Sequence, residues 1–136
     1  TSGRAAENFS RMCALLGGPS DFLDNTAKYL ATAPVILPIY TNGTLSSVDG
    51  QALGNALIEL GGGRQRLGEE IDSSVGFSQV APIGTLLDGE RPLAVIHASS
   101  DDAAERAGER LLEACDTRAE APPATPVIIE IVTEAA

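Results

Sequence analysis

Residues Gly61 to Phe77, GGGRQRLGEEIDSSVGF, interrupt an apolar helical pattern with three consecutive glycines. A basic patch, an acidic pair and a short apolar segment ending in Gly76-Phe77 come after them. Glycine loses more backbone freedom on folding than any other residue, so three together need a physical reason. The candidates are positive φ, close approach of another segment, or an anion held by bare N–H groups. The residues before this stretch read as helices and one strand. Those after it read as short β-segments with a single helix before the last of them.

Working back from the glycines, Leu53, Ala56, Leu57 and Leu60 form one face of a helix over about 50–60, with Asp49 placed as its N-cap. Gly54 costs that helix about 1 kcal/mol relative to Ala, and tight packing against a neighbour is the expected reason for it. Thr41 to Ser47 reads as a turn-rich connection. Val35 to Tyr40 is interrupted by Pro34 and Pro38, which cannot donate to a ladder, so an edge strand or an irregular extended link is predicted rather than a central strand. A domain boundary falls here, between residues 1–34 and 35–136. The leader holds a helix over 3–17 with Ala6, Phe9, Met12, Cys13 and Leu16 on one stripe, capped by Thr1 or Ser2. Ser20 is set to cap a second helix over roughly 21–30, with Phe22, Leu23, Ala27 and Leu30 as its buried candidates. The chain begins Thr1-Ser2-Gly3 without Met, which points to a fragment or a processed product.

Working forward, Ile71, Val75 and Phe77 are apolar anchors, and Gln79 to Leu87 reads as extended. Asp88-Gly89 is a strong turn signal, and Leu93 to His97 is the best strand in the protein. Two short strands across that turn predict a hairpin. Asp101 to Asp116 is the clearest helix, with Ala104, Ala107, Gly108, Leu111, Ala114 and Cys115 on one face, Ser99 or Ser100 as cap, and an Asp102–Arg106 pair at the favourable spacing. Its small inner residues predict very close contact with a sheet. Residues 119–126 form a proline-rich linker, and Val127 to Val132 a final strand. The element order defines an α+β class with a mixed or antiparallel sheet.

Composition narrows function. A length of 136 residues accommodates one core. A formal charge of −10 repels a phosphate backbone, and 4% aromatic content gives no stacking surface, so nucleic acid is not an expected partner. No apolar run of membrane-spanning length and no signal peptide is present, which points to the cytoplasm. Cys13 and Cys115, distant in sequence, read as buried free thiols.

Few residues carry a chemical signature. Gly61, Gly62, Gly63 and Arg64, with Arg66 nearby, form a weak candidate for a phosphate nest. No Gly-Lys-Ser/Thr comes after them, and the glycines end a helix where a dinucleotide fingerprint opens one. Helix termination with a tight packing turn is the stronger expectation. Glu69, Glu70 and Asp72 make a metal or acid/base site only if they converge; an exposed acidic loop pairing with Arg64 or Arg66 is expected. His97 is the only histidine, with no second histidine for zinc and no convincing nucleophile, so a structural role is expected. Lys28, the only lysine, is not at the Asp88-Gly89 tip, where a biotinyl- or lipoyl-type carrier would need it. No catalytic residue, metal site or cofactor is assigned.

Three blocks, GRAAENFSRMCALLGGPSDFLDNTAKYL, VDGQALGNALIELGGGRQRLGEEIDSSVGF and GERPLAVIHASSDDAAERAG, together resemble the C-terminal part of the pyrimidine nucleoside phosphorylase family. The resemblance covers essentially the whole chain in order. It implies an α/β-hammerhead-like unit with a barrel-sandwich-like sheet from residue 35 onward, preceded by the terminal helices of a central α/β lobe. It extends the strand at Val35 toward Leu45. Such enzymes reversibly convert nucleosides such as thymidine, with phosphate, to the base and 2-deoxyribose 1-phosphate, and they form homodimers mainly through a helical lobe. The family's phosphate loop and base-recognising residues lie upstream and have no counterpart here, so the resemblance implies that an N-terminal part of the same enzyme binds both substrates. It gives Gly61, Gly62, Gly63, Asp72, Gly76, Phe77 and His97 structural roles.

Overall fold

Successive strands of this chain do not pair with one another. The computed structural model describes residues 3–123 and 126, and within them six strands alternate between two three-stranded antiparallel sheets. The first sheet has the order β1 (Val35–Ile39), β5 (Ala94–Ala98), β3 (Gly76–Ser78). The second has the order β4 (Leu86–Asp88), β2 (Asn42–Val48), β6 (Cys115–Arg118). The class is α+β as expected, both sheets are antiparallel, and no closed barrel forms among the described residues.

β1 lies at an edge, as Pro38 requires, and runs in register with β5 from Val35↔Ala98 to Ile39↔Ala94. Thr41 to Ser47 is not a turn-rich connection, nor does it continue β1. The chain changes sheets at Tyr40-Thr41, and Asn42–Val48 becomes the central strand of the second sheet. Gly43, at φ 103, allows this: a Cβ there would sit 3.2 Å from the Thr117 side chain of β6. The hairpin across Asp88-Gly89 also fails. Gly89 is left-handed and the Glu90 amide donates to Asp88 Oδ1, so the turn forms. β4, however, pairs with β2, and β5 with β3 and β1. Most of Gln79 to Leu87 is loop, pinned where the Ala81 amide donates to the Leu93 carbonyl.

Two helices close the core. α3 (Gly50–Leu57) is capped by Asp49, whose Oδ1 accepts from the amides of Gln51 and Ala52 at 3.0 Å. It continues into a π-helical turn, Ile58–Gly62, that ends at left-handed Gly61. Gly54 does not serve tight packing: nothing lies within 4 Å of where its Cβ would be. α4 (Asp101–Glu113) is capped by Ser100, whose hydroxyl accepts from the Ala103 amide, and Asp101 and Asp102 occupy its positive end. Ala104, Ala107 and Gly108 are buried against the first sheet, and Leu111 against residues of both sheets. A Cβ on Gly108 would come within 2.9 Å of Ile39 Cδ1, so the expected close approach is present. The helix stops short of the predicted end, and Cys115–Arg118 is extended along β2. Arg110 reaches Glu59 across the helices at 3.5 Å and Glu113 at 3.1 Å, whereas the Asp102–Arg106 pair does not close.

The core joins both sheets. Leu45 and Leu87 from the second sheet, Ala94 from the first and Leu111 from α4 share one buried cluster. Ile96, Ala98, Ala104 and Leu60 form an adjoining one. Each fully buried Leu or Ile removes enough apolar surface to contribute about 1.5–3 kcal/mol.

The leader differs from this block. α1 (Arg4–Leu15) and α2 (Thr26–Tyr29) bury no residue. The second helix is a single turn rather than a span over 21–30. It begins after Asn25 rather than Ser20, and no side chain caps it. Phe22 holds the pair together, with ring centroids 6.3 Å from Phe9 and 6.2 Å from Tyr29. Leu30, Met12 and Leu16 remain exposed. α1 starts after left-handed Gly3 without a side-chain cap, and Thr1 and Ser2 lie outside the described residues. The expected strand Val127 to Val132 also lies outside them.

Candidate functional site

The glycine stretch is a helix end leading into a self-closed loop. Gly61, at φ 104, takes a left-handed conformation that ordinary side chains adopt only with strain. Its carbonyl accepts from the Asp72 amide at 3.0 Å, which ties the two stems of the loop. Gly62 and Gly63 lie against the helix they terminate. A Cβ on Gly62 would meet Leu57 Cδ1 at 2.6 Å, and one on Gly63 would meet Ile58 Cγ1 at 2.7 Å. Close approach therefore accounts for two of the three glycines and left-handed backbone for the third.

Just beyond the glycines, the amides of Gln65 and Arg66 are occupied from within the loop. Glu69 Oε2 accepts from the Gln65 amide at 2.7 Å and from the Arg66 amide at 3.2 Å, and Arg64 Nε donates to the Glu69 carbonyl at 3.0 Å. Those two successive amides hold a carboxylate supplied by their own loop, next to the Gly61, Gly62, Gly63 and Arg64 candidate rather than within it. The expected ion pairs between Arg64 or Arg66 and this acidic run are replaced by these contacts. Asp72 turns the other way: Oδ1 accepts from the Ser74 amide at 2.9 Å and from its hydroxyl at 2.6 Å. Those bonds, the hydroxyl first, hold the Asp72 carboxyl below the usual carboxylate range. Glu69 and Asp72 thus serve separate turns. Among the described residues, no group of three or more His, Cys, Asp or Glu is placed to hold a metal.

His97 lies on the face of β5 turned away from α4, half-buried, with Nε2 2.7 Å from Ser78 Oγ. Ser78 is on β3, and a hydroxyl can serve either imidazole tautomer as donor or acceptor. Gly76 faces His97 in register, and Phe77, opposite Ile96, packs into the core shared by both sheets. Gln79, immediately after Ser78, has φ 53 and takes a left-handed conformation where the chain leaves the sheet. The Ser78–His97 bond has no signal in the sequence, because strand pairing rather than sequence distance brings the two side chains together.

The remaining polar features are also spent locally. A groove of about 300 Å³ between α3 and α4 is lined by Asn55, Glu59, Arg110 and Glu113, and both carboxylates pair with the one guanidinium. Lys28 donates to the Tyr29 hydroxyl and approaches Asp21, on a helix rather than a hairpin tip. The thiols are free but half-buried, not fully buried, and Cys115 belongs to β6 rather than to the preceding helix. Burial, with a smaller contribution from Asp116, pushes the Cys115 thiol up, so it is a poor nucleophile.

The geometry defines a class: an α+β block whose loops are internally bonded and whose polar side chains hold strands and turns in place. Comparison with known families identifies the block. Residues 44–118, from the middle of β2 to the end of β6, match the family model described as the pyrimidine nucleoside phosphorylase C-terminal domain. The match spans more than half of the chain, and the chain belongs to that family. Among the described residues, no helix is long and apolar enough to cross a membrane.

Proposed function

We propose that this chain is the C-terminal structural segment of a thymidine phosphorylase. In that reading, residues 1–34 are the terminal helices of a central α/β lobe. Residues 35–136 are a C-terminal domain of the α/β-hammerhead type with a barrel-sandwich-like sheet. An N-terminal part of the same enzyme binds thymidine and phosphate, and the complete enzyme works in the cytoplasm as a homodimer. The reaction is the reversible transfer of the 2-deoxyribosyl group from thymine to phosphate. The observation that carries this reading is the family match over residues 44–118. The exposed stripe of α1, with Met12 and Leu16 uncovered, supports the first 34 residues packing against further protein.

Phosphorolysis needs a phosphate dianion facing the anomeric carbon and donors for the charge on the departing base, so positioning and electrostatics dominate the barrier. In the proposed division of labour this chain contributes rigidity. Glu69 keeps the Gln65 and Arg66 amides from an external anion. Gly61, Gly62, Gly63, Asp72, Gly76, Phe77 and His97 hold the block against which a closing lobe registers.

A phosphorolysis assay with thymidine and inorganic phosphate tests this directly. The purified chain alone should give no thymine above the uncatalysed rate, and a longer co-purifying polypeptide should restore turnover. A cleaved or multi-chain phosphorylase would show the second result without any covalent continuity. Turnover by the chain free of other protein would refute the scaffold reading.

A further inference from the structure

We infer that the Arg66–Leu67 peptide bond is the preferred internal cleavage site for an arginine-directed serine protease, and that the nicked chain stays one folded body. Proteases of this class need an arginine whose flanking backbone can enter an extended cleft, which exposed loop tips satisfy and packed elements do not. The chain has nine Lys and Arg residues, and their placement decides among them. Arg106 and Arg110 lie in the packed helix α4, and Arg4, Arg11 and Lys28 lie in the leader helices, whose hydrogen-bonded turns, though unburied, are not extended. Arg91 is followed by Pro92, whose ring blocks attack on that bond. Arg118 closes β6 and pairs with Thr44, so its backbone is held in a sheet.

Arg64 and Arg66 remain. Arg64 is held through Nε by the Glu69 carbonyl, and the next amide, Gln65, makes the shortest bond in the loop, 2.7 Å to Glu69. The bonds at Arg66 are longer: its amide donates to Glu69 at 3.2 Å, and its carbonyl accepts from the Glu69 amide at 3.3 Å. Leu67 is fully exposed, at 107% of its reference area, and Gly68 beyond it is left-handed with nothing within 4 Å of its Cβ position. The tip therefore presents an arginine followed by a bond that no packing protects. Water adds across that bond, leaving a carboxylate on Arg66 and an amine on Leu67, with no other reactant required.

The cut would fall outside the fold's fastenings. The Gly61 carbonyl to Asp72 amide bond closes the loop beneath it. On one side α3 packs against α4, and on the other β3 pairs with β5. Each new end is anchored by its own tertiary contacts, so the pieces remain associated.

Limited digestion of the full chain with trypsin, followed over time by intact-mass spectrometry and by native gel filtration, tests this. The first internal cut should give fragments 1–66 and 67–136, eluting together as one species. Arg66→Gln should slow that cut at least tenfold. Glu69→Ala, which frees the loop amides, should speed it severalfold without moving it. A first internal cut within a helix, a rate unchanged by Arg66→Gln, or fragments that separate under native conditions would each overturn the inference.

Discussion

Asp72 shows what the acidic run does. Its carboxylate is stabilised by the hydroxyl and amide of Ser74, so its pKa in the folded chain lies below the ordinary value of about 3.9. A depressed carboxyl pKa contributes stability that is fully present above the unfolded value and is lost as pH falls through the folded one. Replacing Asp72 with Asn removes that dependence. The Tm gap between wild type and Asp72→Asn should be open at about pH 6 and should close as pH falls below about 4. Thermal unfolding by circular dichroism across that range measures it, and a gap constant with pH would contradict the assignment. The carboxylates are legible in sequence as an exposed loop, but their partners are not. Backbone amides leave no mark in the side-chain pattern, so Glu69 reads as a partner for Arg64 or Arg66 until the loop is seen to fold back upon it.

Among the elements, α4 is the most legible. Its cap, acidic first turn and small inner face are all local properties of contiguous residues. Gly108 is the point of closest approach, with Ile39 and Ile96 beneath it. Gly108→Leu should overpack that contact and cost about 1–3 kcal/mol in urea unfolding, an amount typical of forcing bulk into a filled core. An unchanged midpoint would mean that the helix can lift from the sheet. The end of this helix is not legible because Cys115 continues its apolar spacing, whereas pairing with Val48 and the bond from the Asp49 amide to the Ala114 carbonyl stop it. Asn42–Val48 is hidden for a related reason. Asn, Gly, Thr and Ser are turn residues by composition, and only a place between β4 and β6 makes a strand of them. The Asp88-Gly89 turn is legible as a turn. Its outcome is not, because a turn fixes a change of direction without naming the strand that receives the chain.

For the molecule as a whole, the buried cluster of Leu45, Leu87, Ala94 and Leu111 draws on both sheets and a helix. The sheets should therefore open together. Native-state hydrogen exchange should give the amides of Leu45 and Ile96 opening free energies that agree within about 0.5 kcal/mol. A clearly lower value for either would show that one sheet unfolds on its own. Class and approximate element order can be read from the chain because periodicity and caps are local. Sheet membership cannot, because every pairing joins strands that are not neighbours in sequence.

That interleaving has a cost during synthesis. As the nascent polypeptide leaves the ribosome, β1 waits unpaired for β5 and β2 waits for β4 and then β6, so neither sheet can be finished early. Such distant pairings are slow to form and leave apolar edges uncovered in the meantime. The two sheets are thus committed to forming late and nearly all at once, and the chain is most vulnerable to aggregation just before β6 has been made.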